Sequence, residues 1–159
     1  LIQRIDSPAV GAVYDSGNSI PFYQDPLEEA RLLKPYVRTT HIKDHILVGD
    51  GDVVWSVGTP FGLGRIPLAE IVEVLRTAPH LTRLMTQVCY GYAVRMPSLP
   101  AEIPSMALYE PIARPADTRV IWTPSAGGNH GYLQPDDEHL DAAARHVETS
   151  VAYMRDLLS

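Results

Sequence analysis

Cysteine is nearly missing: Cys89 is the one thiol in 159 residues. No intrachain disulfide can form, and a cysteine-rich zinc site is excluded. Such usage fits a reducing, cytoplasmic compartment. No apolar run approaches the ~20 residues of a membrane span. No charged segment followed by an apolar one marks a secretory signal. Positive charge is also short: 13 Lys and Arg face 19 Asp and Glu, a net charge of −6. Without a basic stretch to release counterions, nucleic acid is not an expected partner. What is present is ordinary for a globular protein, 45% apolar and 20% charged, so one domain spanning 1–159 is the expectation.

The pattern alternates. Residues 1–10 read as the tail of a helix and a turn through Pro8. Val10-Gly11-Ala12-Val13-Tyr14 is a short β-like run ending at Asp15, and Ser16-Gly17-Asn18-Ser19 is a loop by composition. Asp25-Pro26 predicts a helix start, with Asp as N-cap, Pro at the first position and Glu28 and Glu29 in the first turn. Pro35 ends that helix. Val37 to Asp44 is a second strand, rich in β-branched residues. A loop is expected from His45 to Arg65, with glycines at 49, 51, 58, 62 and 64. Leu68, Ile71, Val72 and Leu75 share one face of a second helix, and Leu81 to Tyr90 reads as a third strand.

Strand, helix, strand, helix, strand implies parallel strands joined by crossover helices. A long Pro-rich segment follows, with prolines at 97, 100, 104, 111, 115 and 124. It is too long for a simple turn, and residues 93–132 are expected to form a loop or arm. Pro135-Asp136-Asp137-Glu138 then leads a C-terminal helix to Leu158. Leu140, Ala143, Ala144, Val147, Val151, Met154 and Leu158 are expected on its apolar side.

Polar residues cluster at the strand ends. Asp15 follows the first strand, His41 and Asp44 end the second, and Gln87 lies in the third. Sites in parallel α/β folds assemble at the carboxyl ends of the strands. Carboxylate, imidazole and amide oxygen together suit a divalent cation of the Mn, Mg, Co or Zn type. On the residues alone other readings stay open: an Asp after a strand is a common turn or cap residue, and a His on a strand is commonly structural.

Val13-Tyr14-Asp15-Ser16-Gly17-Asn18 resembles the "D-[ST]-G-[HN]" element of the sugar phosphate isomerase/epimerase family, the xylose-isomerase-like TIM barrels. Thr40-His41-Ile42-Lys43-Asp44 resembles that family's "H-[IVL]-K-D" strand. Phe61-Gly62-Leu63-Gly64-Arg65-Ile66-Pro67 is similar to its "G-x-G-x-[IV]" loop. The resemblance covers about residues 8 to 90 and implies the C-terminal portion of a (β/α)8 TIM barrel, about three βα units plus a C-terminal helix. A closed barrel takes ~250 residues, and the chain starts at Leu rather than Met. It is therefore expected to be part of a longer product.

The resemblance also implies an activity, a divalent-metal-dependent sugar or sugar phosphate isomerase or epimerase that moves a proton next to a carbonyl. Asp15 and His41 take the positions of metal ligands. Asn18 and Lys43 take substrate-binding positions. Gln87 falls where the family has a catalytic and metal-binding Glu; a neutral amide is a weaker ligand and no general base. The expected partner is a small carbohydrate, with Tyr92, Arg95, Tyr109, Arg114, Trp122 and His130 on an arm able to close over it. A long arm is also compatible with a homo-oligomer. The alternative is a non-catalytic homologue or subunit of such a barrel assembly.

Overall fold

A computed structural model of the chain describes residues 2–5, 7–89, 92–98, 105–114, 118–122, 130–135 and 139–159. The chain opens with a one-turn helix, α1 (Ile2–Ile5). Then β1 (Ala12–Asp15) pairs in parallel with β2 (Val37–His41), with Asp15 opposite His41. The crossover between them is α2 (Pro26–Leu33). Its start follows the expected chemistry: the Asp25 side chain accepts from the backbone N–H of Leu27 and Glu28, and Pro26 holds the first position. A second helix, α3 (Leu68–Arg76), packs beside α2 and buries Leu68, Ile71, Val72 and Leu75, the face its spacing predicts.

The expected third strand is reduced to one parallel bridge, Ile42 with Thr86. Ile42 N–H donates to Met85 O at 2.9 Å and Gln87 N–H donates to Ile42 O at 2.8 Å. The ladder stops there for a local reason. The Thr40 hydroxyl accepts from Met85 N–H at 2.8 Å and donates to Met85 O at 2.9 Å. The Thr40 side chain thus takes the Met85 N–H that the next ladder bond would use, and shares Met85 O with the Ile42 N–H. The segment still runs parallel beside β2.

The stretch from His45 to Arg65 is not a plain loop. It holds a hairpin of β3 (His45–Asp50) and β4 (Val53–Gly58). Gly51 has φ +60 and leads the two-residue turn, where a side chain would be strained. Gly49 and Gly58 lie inside strands, so the glycine count concealed two β-rich runs, Ile46-Leu47-Val48 and Val53-Val54-Trp55. Among the described residues the hairpin belongs to a six-stranded sheet, ordered β6-β3-β4-β5-β8-β7. Its other strands are β5 (Tyr92–Arg95), β6 (Ile112–Ala113), β7 (Thr118–Trp122) and β8 (His130–Pro135). All its pairings are antiparallel except β3 with β6. The chain is therefore mixed α and β, and the segment 93–132 contributes strands to the same sheet as the hairpin.

The last helix, α4 (His139–Leu158), follows residues 136–138, where the expected helix start falls outside the described residues. Its packed face differs from the expected one. His146, Ser150 and Met154 are buried, at i, i+4 and i+8, whereas Val147, Val151 and Leu158 are each more than 40% exposed. One polar contact to Phe61 and one close approach at Gly62 accompany this rotation. The Ser150 hydroxyl accepts from Phe61 N–H at 3.1 Å and donates to His146 O at 2.8 Å. Gly62, at φ +82, leaves room for the Tyr153 ring, which an added Cβ would meet at 2.4 Å. One apolar cluster joins Tyr14 and Ile42 of the parallel unit to Leu47, Phe61, Leu75 and Met154.

Candidate functional site

Because β1 and β2 are parallel, their carboxyl ends lie side by side. Asp15 is at the end of one, His41 at the end of the other, and Lys43 two residues further on. The Asp15 carboxylate is almost fully engaged. Its Oδ1 accepts from Gly17 N–H at 3.0 Å and Asn18 N–H at 3.1 Å, an Asx-type turn. Its Oδ2 is 2.8 Å from Lys43 Nζ and 3.7 Å from His41 Nδ1. Lys43 Nζ also donates to Asn18 Oδ1 at 3.1 Å. Asp15 and Lys43 side chains are only 10% and 11% exposed, whereas His41 is 51% exposed. Four of the five site residues expected from sequence are thus brought together.

Gln87 is not joined to them. Its backbone N–H is bonded to Ile42, but its side chain is exposed and forms no hydrogen bond among the described residues. The arm residues also point elsewhere. The Tyr109 hydroxyl donates to Gln24 O at 2.6 Å and its ring lies 5.4 Å from that of Tyr23, while Arg114 Nε is 3.1 Å from Asp50 Oδ1. The side chains of Trp122 and His130 lie outside the described residues. A cavity of about 550 Å³ is lined by Tyr23, Asp52, Arg95 and Met96 among others, and one of about 420 Å³ by Phe61, Val88, Val151 and Leu158 among others. Neither includes Asp15. The polar geometry, not the cavity size, marks this site.

Three neighbours support the site; the sequence motifs include Ser16 and Asp44, and His45 was missed. Ser16 clamps the site from below: its hydroxyl donates to Lys43 O at 2.8 Å and accepts from Lys43 N–H at 2.7 Å. Asp44, the final position of the His-Ile-Lys-Asp run, is structural. Its Oδ1 accepts from His45 and Ile66 N–H, and its Oδ2 from Gly62 and Gly64 N–H. A Cβ on Gly64 would come within 1.9 Å of Asp44 Oδ1, so glycine is required for this approach. His45 is buried beneath Gly17. Its Nδ1 is 3.0 Å from Ser56 Oγ, and its Nε2 has no hydrogen-bond partner among the described residues. The β alternation of His45-Ile46-Leu47-Val48 was the signal that would have placed it on a strand.

Burial pushes the His45 pKa down to about 4; Lys43 adds to the shift and Asp15 opposes it. The folded-state value lies below that of the unfolded chain, so the unfolded chain takes up a proton first. Stability from the neutral ring is present above about pH 6.5 and is lost as pH falls toward 4. Acidification from pH 7 to pH 5 is expected to cost about 2 kcal/mol through this residue. Urea unfolding of wild type and His45→Gln at both pH values measures it. A similar pH response in the two proteins would refute the assignment.

No family model, no curated protein and no solved structure matches the chain. Among the described residues no helix is long and apolar enough to cross a membrane, and no three of His, Cys, Asp and Glu are grouped to hold a metal ion.

Proposed function

We propose that the chain is part of a xylose-isomerase-like barrel acting on a sugar or sugar phosphate, with its site at the carboxyl ends of β1 and β2. The observation that carries this reading is the convergence of Asp15, His41, Lys43 and Asn18 on one point. Such a group of donors and acceptors suits adjacent hydroxyl and carbonyl oxygens. Lys43 can donate to a substrate oxygen, and Asn18 can donate or accept.

Asp15 and His41 fit a divalent cation as two of its ligands. Asp15 Oδ2 and His41 Nδ1 are 3.7 Å apart, close enough to serve as two ligands of one ion. The cation would supply polarisation of a substrate carbonyl. Isomerisation or epimerisation next to that carbonyl also needs a base. Gln87 is neutral and accepts no proton, so the base comes from a different position.

The exposed, unbonded Gln87 side chain favours a second reading, a non-catalytic homologue or subunit that binds the carbohydrate without turning it over. Metal content, read on the purified protein with Asp15→Ala and His41→Ala, tests the metal reading. At saturating Mn²⁺, stoichiometric binding by the wild type and a loss of tenfold or more in affinity in both variants are expected. Unchanged metal content in both variants would sink it. Turnover of aldoses and ketoses then separates the enzyme from the binding subunit.

A further inference from the structure

We propose that Lys43 is a built-in competitor for the cation: ammonium and divalent ion use the same oxygens and exclude one another. This rests on the metal reading above. The Asp15 Oδ1 lone pairs are taken by Gly17 and Asn18 N–H, which leaves Oδ2 as the ligand atom. Lys43 Nζ is already there at 2.8 Å, and it also holds Asn18 Oδ1, the next oxygen within reach. An ammonium and a divalent ion sharing these oxygens would lie a few ångströms apart beside largely buried side chains, where their repulsion is poorly screened.

The ammonium is not free to swing aside without cost. The Lys43 backbone is fixed at both N–H and C=O by Ser16 Oγ. Its stem lies against Gly17, where an added Cβ would meet Lys43 Cδ at 3.0 Å. The buried His45 ring packs against the same face of Gly17, at 2.9 Å from that Cβ position. The site is therefore shaped around the lysine, and a cation reaches these oxygens only by moving the ammonium out. A site so arranged is electrically satisfied without metal and takes metal weakly.

The test is calorimetric titration of Mn²⁺ into wild type, Lys43→Met and Lys43→Gln, with thermal unfolding at each Mn²⁺ concentration as a second readout. Methionine keeps the stem and removes the charge; glutamine keeps a donor for Asp15. Both variants are expected to bind Mn²⁺ at least about tenfold more tightly than wild type, with a larger metal-induced rise in Tm. Asp15→Ala added to either should abolish the gain. Wild-type affinity unchanged in both variants would overturn the competition while leaving the metal reading intact. No Mn²⁺ binding by wild type or by either variant would overturn both.

Discussion

Asp44→Ala is expected to lower the unfolding free energy by about 3–5 kcal/mol, because four backbone donors lose their acceptor together. The carboxyl group is buried, the residue being 2% exposed. It accepts from His45 at 2.9 Å, Gly62 at 2.9 Å, Gly64 at 3.0 Å and Ile66 at 3.2 Å. Water reaches part of the Gly62–Gly64 turn and keeps the cost below the sum of four orphaned donors. Asp44→Asn does not rescue it, because its amide NH₂ faces two of the same N–H groups. Gly64→Ala should fall in the same range, since its Cβ would overlap the carboxylate.

Burial pushes the Asp44 pKa up to about 6, the four donors pulling in the other direction. A raised carboxyl pKa adds stability at low pH that is lost as pH rises through about 6. The gap between wild type and Asp44→Ala is therefore wider at pH 5 than at pH 7. Chemical denaturation at the two pH values reads both quantities. A gap under about 1 kcal/mol at pH 7 would show that the loop is held by something else.

The parallel unit was legible because its signals are local. Asp25-Pro26 caps α2 through its own next two residues, and Leu68, Ile71, Val72 and Leu75 mark the α3 core face within three turns. Once β1 and β2 are parallel, the meeting of Asp15 with His41 and Lys43 follows from register. The six-stranded sheet was not legible, because its partners are far apart in sequence. Trp55 pairs with Arg95, and Val48 with Ile112. Glycines inside β3 and β4 hid the strand pattern further. The α4 face was misread for a related reason: apolar spacing alone does not weigh the Ser150 hydroxyl against an exposed Val151, whereas packing against Phe61 does. Gln87 illustrates the limit at the site. Its backbone lies beside β2 as expected, yet a single bridge does not direct its side chain toward Asp15.

The Asp15–Lys43 pair differs from the other ion pairs by its burial, and that sets the second large effect. Breaking a largely buried pair from one side leaves an uncompensated charge. Asp15→Ala strands the Lys43 ammonium on Asn18 alone and also removes the turn bonds to Gly17 and Asn18; about 3–4 kcal/mol of stability is expected to go. Lys43→Met leaves the carboxylate its two N–H donors, and about 2 kcal/mol is expected. The double variant should lose only about as much as Asp15→Ala by itself, a coupling near 2 kcal/mol. The coupling should change little on raising salt from 0.1 to 1 M, because solvent reaches neither group well. Arg31–Glu28 and Arg114–Asp50, with side chains 36% to 63% exposed, should show coupling below about 1 kcal/mol that fades with salt. Denaturation of the four proteins of the Asp15–Lys43 cycle decides it. Additive single effects would show that the two groups, though 2.8 Å apart, do not hold each other in place, and the ammonium would then be free to leave a cation the site.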